Sequence, residues 1–114
     1  MITKEFVFNT DVELVKGMKE LGMVYEDILY TLKHEKPHLD KARELGYEAK
    51  YRIKFEIEND GLEVVVAYSG HVDINCNGKD INPKHLREIA LATPNPSHRD
   101  LLISEFAEEI LKKW

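Results

Sequence analysis

The stretch KYRIKFEIENDGLEVVVAYS, residues 50–69, decides the fold of this chain. Its first half alternates between apolar and charged residues, which is the pattern of a strand with one buried and one solvated face. The sequence Asn59-Asp60-Gly61 then predicts a tight turn, because these residue types tolerate positive φ angles. The second half is apolar enough to lie at the centre of a sheet. Residues 50–69 therefore predict an antiparallel β-hairpin as the core of the fold.

Two further strands are predicted on either side of this hairpin. Upstream, residues 2–8 have the sequence ITKEFVF and read as a first strand. Downstream of Gly70, residues 71–76 have the sequence HVDINC and alternate again between polar and apolar side chains. The sheet is therefore predicted to contain about four antiparallel strands.

Helix signals lie between the first strand and the hairpin. Thr10 and Glu13 form a capping box, in which each side chain satisfies the other residue's backbone donor. A second helix is predicted from Val24 to Lys33 on the spacing of its apolar residues. A short third helix is predicted from Pro37 to Leu45, because proline is favoured at a first helical position.

Two more helices are predicted after the strands. One begins at Asn82-Pro83, and the other begins at Ser97, where Asp100 completes a second capping box. The last helix carries an apolar stripe that is expected to dock on the sheet, formed by Leu102, Phe106, Ile110 and Trp114. The predicted order is β-α-α-(α)-β-β-β-α-α. The sequence therefore predicts a single compact α+β domain over residues 1–114, with a small antiparallel sheet and helices packed on it.

Length and composition limit the class of protein. The chain has 114 residues, of which 43% are hydrophobic and 32% are charged, as in ordinary globular domains. The single cysteine, Cys76, excludes an intramolecular disulfide and a cysteine-rich zinc site. No apolar run approaches the roughly 20 residues that span a bilayer, and the N-terminal segment does not resemble a signal peptide. We therefore expect a cytoplasmic protein without a membrane anchor.

The charge of the chain argues against a nucleic-acid partner. The formal net charge is -5, from 16 basic and 21 acidic residues with interspersed signs. Affinity for nucleic acids depends largely on lysine and arginine neutralising phosphates. The helix pair at residues 13–32 resembles a helix-turn-helix in spacing, but its second helix opens with Tyr25-Glu26-Asp27, which would repel phosphate. A basic protein partner, or simply a contribution to solubility, fits this composition better.

The sequence HEKPH, residues 34–38, has the form H-E-x-x-H of zinc-dependent proteases. That motif needs both histidines on one face of an unbroken helix. Pro37 lies between them, removes a backbone donor and clashes with the carbonyl of Lys33. We therefore expect His34 to end one helix and His38 to begin the next, so that the two imidazoles do not converge. On this interpretation the chain has no metal site, and no other cofactor is predicted.

A second candidate site lies in the strand SGHVDIN, residues 69–75. In a regular strand His71, Asp73 and Asn75 point to one face. Alternate residues on a strand are about 6.5–7 Å apart, whereas a nucleophile and its base must approach to about 3 Å, so a direct relay is not expected. His71 and Asp73 are catalytic candidates for a site completed by another element. The three residues are also candidates for a binding face, and the alternative is the polar face of an edge strand.

Two functions remain open at this stage. The first is a small acidic binding or regulatory module that acts by protein–protein interaction, as an inhibitor, an immunity-like protein or a regulatory subunit. It is favoured by the negative charge, the small size and the lack of a complete catalytic set. The alternative is a small hydrolase or nuclease that uses the polar strand face around His71 and Asp73. Homo-oligomerisation through an exposed strand edge is compatible with either.

Overall fold

A computed structural model describes residues 1–113 and has the α+β architecture that the sequence predicts. The three strands form one antiparallel sheet in the order β1-β2-β3, with β2 at the centre. No helix within the described part of the chain is both long enough and apolar enough to cross a membrane. The elements in chain order are β1 (Ile2–Phe8), α1 (Asp11–Glu20), α2 (Tyr25–Glu44), β2 (Glu48–Asn59), β3 (Glu63–Asn75), α3 (Pro83–Ala90) and α4 (His98–Lys112).

The prediction of about four strands and a third short helix is wrong, and Gly70 explains the strand count. The predicted return strand and the predicted strand at 71–76 are one continuous strand, β3, which passes through Gly70 without a turn. Gly70 lies opposite Ile53 of β2. A Cβ atom at Gly70 would lie 2.9 Å from Cδ1 of Ile53. This glycine therefore allows a close approach of side chains and does not mark a strand boundary.

The predicted helix boundary at Pro37 is also wrong, because α2 continues through the proline from Tyr25 to Glu44. A proline inside a helix costs about 3 kcal/mol. The same helix buries Ile28 and Leu39, which are 4% and 1% exposed. Burial of each such side chain contributes about 1.5–3 kcal/mol, so the packing of the helix offsets the cost of the proline.

The core lies between the inner face of the sheet and helices α1 and α2. Alternate residues of β2 point into it, and Tyr51, Ile53 and Phe55 are fully buried. Leu14 and Met18 of α1 cover them and have no exposed surface. The outer face of the sheet carries the charged residues that alternate with these positions. The period-two pattern of β2 therefore fixes which face of the sheet the helices cover.

Helix α4 packs differently from the prediction that its apolar stripe docks on the sheet. It lies against α3 and buries the small residues Ser104 and Ala107, which allow a close approach of the two helices. The larger residues Leu102 and Phe106 are 51% and 59% exposed. Trp114, the last residue of the predicted stripe, lies outside the described residues. The start of α4 faces α2, and this contact forms the site described next.

Candidate metal centre

The unbroken helix α2 brings the two histidines of HEKPH together. His34 and His38 are one helical turn apart, and their ring centroids are separated by 5.5 Å at an interplanar angle of 75°. The earlier expectation that the imidazoles diverge is therefore wrong, because it depended on a helix break at Pro37 that does not occur. The geometric requirement of the H-E-x-x-H motif is met in this chain.

A carboxylate from the opposite helix completes the group. Oδ2 of Asp100 lies 3.3 Å from Nε2 of His34 and 3.3 Å from Nε2 of His38. One ligand atom from each of the three residues lies within 4.8 Å of the others. Ligand atoms held at about 2.0–2.1 Å from one tetrahedral zinc ion are about 3.3–3.4 Å apart. The two measured separations match this spacing.

Asp100 is held in place by the start of α4. It is the third residue of that helix, and its side chain forms the capping box that the sequence predicts with Ser97. Oδ2 accepts a hydrogen bond of 2.9 Å from the backbone N–H of Ser97. Metal-ligating carboxylates are commonly hydrogen-bonded by a second group in this way. The cap therefore fixes the carboxylate in a position that faces both imidazoles.

His38 has the hydrogen bonding of a metal ligand. It is 5% exposed, and its Nδ1 lies 2.6 Å from the carbonyl oxygen of Ile89. A carbonyl only accepts, so Nδ1 carries a proton, and in the neutral form of the ring Nε2 presents its lone pair. Nε2 is buried and forms no hydrogen bond of acceptable geometry among the described residues, although Oδ2 of Asp100 lies 3.3 Å away. A backbone carbonyl that fixes the tautomer of a ligating histidine is the usual support for such a ligand.

Glu35 lies beside these three residues and is also buried. It is 6% exposed, and its Oε1 lies 3.8 Å from Nε2 of His34. Burial, and secondarily the negative charge of Asp100, raise the pKa of Glu35 to about 8, while the guanidinium of Arg99 acts in the opposite direction. Glu35 is the acidic residue of the H-E-x-x-H pattern, which serves as the general base in zinc proteases.

The four residues open into a cleft of about 160 Å³ between α2, the edge strand β3, α3 and the start of α4. Its walls are mainly apolar. Arg99 is the only lysine or arginine among the described residues that borders it. The apolar lining residues are Val72, Ile74, Leu86, Ile89, Ala90 and Ile103. The cleft thus combines a polar end, formed by the side chains of α2 and α4, with an apolar wall.

No family model, curated protein or solved structure matches this chain. The chemistry of the site therefore has to be inferred from its donor atoms. Two imidazoles and one carboxylate that leave a coordination position open are typical of catalytic zinc, and the same donors also hold non-haem Fe(II). His34, His38 and Asp100 fit such an ion in donor type and in spacing.

Of the residues proposed from the strand 69–75, His71 lines the cleft, and Asp73 and Asn75 do not. His71 pairs with Arg52 across the sheet, so its side chain shares the outer face with that of Asp73, away from α2. Nε2 of His71 lies 3.0 Å from Oδ1 of Asp73, and Nε of Arg52 donates to Oδ2 of Asp73 at 2.5 Å. Nδ2 of Asn75 donates to Glu48 at 3.1 Å. A role for this polar face in binding or catalysis stays a prediction.

The contact between His71 and Asp73 corrects one argument from spacing. A separation of about 6.5–7 Å applies to the Cα atoms of alternate strand residues. The two side chains lean toward each other along the strand, and their polar atoms meet at 3.0 Å. Spacing along a strand therefore does not exclude a hydrogen bond between alternate long side chains.

The sequence contained a signal for two of the three candidate ligands. The H-E-x-x-H pattern identifies His34 and His38, whereas the proline between them predicts a helix break that separates them. Asp100 was predicted as a helix cap and was missed as a ligand. No rule of local spacing connects it with residues about sixty positions earlier in the chain.

Proposed function

We propose that this protein is a metal-dependent hydrolase whose ion is held by His34, His38 and Asp100. The observation that supports this proposal is the convergence of the three donor atoms, with 3.3 Å between the carboxylate oxygen and each imidazole nitrogen. The buried Nε2 of His38, which forms no hydrogen bond within residues 1–113 and lies 3.3 Å from Oδ2 of Asp100, adds to it. An unpaired polar atom in the interior is costly, and a bound ion would satisfy it.

The roles of the side chains follow from their positions. A zinc ion with three protein ligands lowers the pKa of water at its open position to about 7 and polarises a substrate carbonyl. Oε1 of Glu35 lies 3.8 Å from Nε2 of His34, so Glu35 would lie beside an ion held there, and the positive charge of the ion would favour its ionised form. Glu35 would then accept a proton from the attacking water as the water oxygen bonds to the carbonyl carbon. The bond from that carbon to the leaving nitrogen or oxygen would break, and the proton would pass from Glu35 to the leaving group, so that no further reactant would be needed.

Zinc binding by the chelator-treated protein tests the proposal directly. Isothermal titration should show one zinc ion per chain for the natural sequence. Asp100→Asn should weaken binding at least tenfold, because the amide can still cap α4 but is a poor metal ligand. His98→Ala is the matched control, since His98 is an exposed histidine of the same helix that does not border the cleft. Absence of zinc uptake by the natural sequence at micromolar free zinc would overturn the proposal.

Hydrolysis is tested separately from metal binding. The zinc-loaded protein should hydrolyse ester or amide model substrates, and Glu35→Gln should remove this activity while zinc is still bound. The variant keeps the shape of the side chain but cannot accept a proton. An active Glu35→Gln variant would show that Glu35 is not the base.

The second candidate is the protein-binding role expected from composition, and one observation favours it. Leu102 and Phe106 of α4 are exposed, although large apolar side chains are usually covered. Glu105 and Glu109, which are also exposed, lie on the same helix beside them. This face is complementary to a basic amphipathic segment of another protein. A double variant, Leu102→Glu with Phe106→Glu, should lose a partner that the natural sequence retains in co-purification, and equal retention would contradict the idea.

A further inference from the structure

A positive charge borders the cleft at the start of α4. Arg99 borders it, is exposed, and forms no ion pair with any described carboxylate. It directly precedes Asp100, so Arg99 and this candidate metal ligand both belong to the first turn of α4. The N-terminus of a helix of this length adds a partial positive charge at that end. An anionic group bound next to the candidate ion would therefore be favoured here.

The size and lining of the cleft indicate which other part of a substrate could bind beside this anionic group. The cleft measures about 160 Å³ and has an apolar wall that includes Leu86, Ile89 and Ile103. An apolar cavity of about 150 Å³ in another protein holds a benzene molecule. One apolar side chain of the size of leucine or phenylalanine therefore fits.

We propose that the centre acts on substrates that carry a free carboxylate and one apolar side chain next to the scissile bond, as at the C-terminal residue of a peptide or in an N-acyl amino acid. Arg99 would bind the carboxylate, the apolar wall would receive the side chain, and an ion held by the three candidate ligands would polarise the scissile carbonyl. This inference rests on the proposed metal-dependent function. It adds the substrate class and assigns Arg99 as the residue that selects it.

Binding assays with three small carboxylates on the zinc-loaded protein separate the contribution of Arg99 to ligand affinity from that of the apolar wall. Benzylsuccinate carries one carboxylate for the ion, a benzyl group for the apolar wall and a second carboxylate for Arg99. Phenylbutanoate is the same molecule without the second carboxylate, and succinate is the same molecule without the benzyl group. Benzylsuccinate should bind about tenfold more tightly than either, since a charged hydrogen bond and a buried ring each contribute about this factor.

Arg99→Gln should remove the difference between benzylsuccinate and phenylbutanoate and leave the affinity for zinc unchanged. Lys112→Gln is the matched control, because it removes the same charge at the far end of the same helix. A persistent tenfold preference in Arg99→Gln would overturn the assignment of Arg99, because the second carboxylate would then be binding elsewhere, for example to the ion. Equal affinities in the natural sequence would overturn the substrate class.

These outcomes are distinguishable from failure of the metal site itself. If zinc does not bind, the hydrolase proposal and this inference fall together. If zinc binds with a persistent carboxylate preference in Arg99→Gln, or with no preference in the natural sequence, only the inference about the substrate fails. Hydrolysis gives an independent readout: an N-acylated dipeptide ending in phenylalanine should be cleaved faster than the same dipeptide with an amidated C-terminus. Equal rates would contradict the inference.

Discussion

Replacement of Glu35 by glutamine should stabilise the metal-free protein, and the gain should grow with pH. In the unfolded chain the carboxyl has its ordinary pKa of 4.5, whereas burial raises its pKa to about 8 in the folded protein. Between these values the folded state binds one more proton than the unfolded state, so the free energy of unfolding falls as pH rises. Glutamine has nearly the same shape and no proton to lose, so the variant lacks this decrease.

The magnitude follows from the difference between the two pKa values. One pKa unit corresponds to about 1.4 kcal/mol, and the side chain is only 8% exposed, so solvent screening is small. The expected stabilisation by Glu35→Gln is close to zero near pH 4.5. It rises to roughly 3–5 kcal/mol at about pH 8. The ionised carboxylate of the natural sequence is destabilising because it is buried next to Asp100.

Urea unfolding followed by far-UV circular dichroism, in the presence of a chelator, measures this difference across about pH 5 to pH 8. Titrating groups that do not interact with Glu35 are common to both proteins and cancel in the comparison. Glu105→Gln is the control, since it removes the same charge from an exposed position and should give a difference that is small at every pH. A stability difference for Glu35→Gln that stays flat with pH, or that favours the natural sequence at high pH, would refute the reasoning.

Three further substitutions test the fold through the urea midpoint. Pro37→Ala should raise the free energy of unfolding by up to about 3 kcal/mol, because it restores a helical hydrogen bond inside α2, and a decrease would indicate that α2 requires the proline. Tyr51→Phe should cost about 1–2 kcal/mol, because it removes the hydroxyl that donates to Asp11 at 2.6 Å, and an unchanged midpoint would argue against this bond. Gly17→Ala should cost about 1–2 kcal/mol despite better helix propensity, because the new Cβ would overlap the ring of Phe8. Increased stability in Gly17→Ala would show that the ring can move aside.

The parts of the fold that the sequence predicts are those set by local patterns. The alternation in residues 50–58 identifies β2 and its buried face, and the two capping boxes mark where α1 and α4 begin. Such signals act over a few residues, because a strand face or a capped helix end depends on its immediate neighbours. The α+β class follows from the order of these elements.

The errors concern features that depend on packing between distant segments. Whether α2 continues through Pro37 depends on how much apolar surface that helix buries, and whether Gly70 is a turn depends on the approach of Ile53 from β2. The spacing of Leu102 and Phe106 identifies an apolar helix face but does not specify whether another element covers it. Local rules describe a cost or a preference, and the tertiary contacts decide whether it prevails.

Only part of the candidate site could be predicted from the sequence. The H-E-x-x-H pattern is visible in residues 34–38, and its helical geometry is that of the motif. Pro37 predicts a helix break, and this prediction is wrong because the packing of α2 offsets the cost of the proline. Asp100 could not be assigned from sequence, since its approach to the two histidines depends on how α4 is placed against α2.

Because Asp100 belongs to the first turn of α4, the proposed ion would link α4 to α2. An ion that joins His38 to Asp100 would act as a cross-link and close a loop of about sixty residues that contains β2, β3 and α3. In the chain-entropy description, a permanent cross-link across a loop of this length reduces the conformational entropy of the unfolded chain. This reduction raises the free energy of the unfolded state by about 4 kcal/mol. Ion occupancy would then set the lifetime of the folded chain, since α4 could detach from α2 only after the ion leaves.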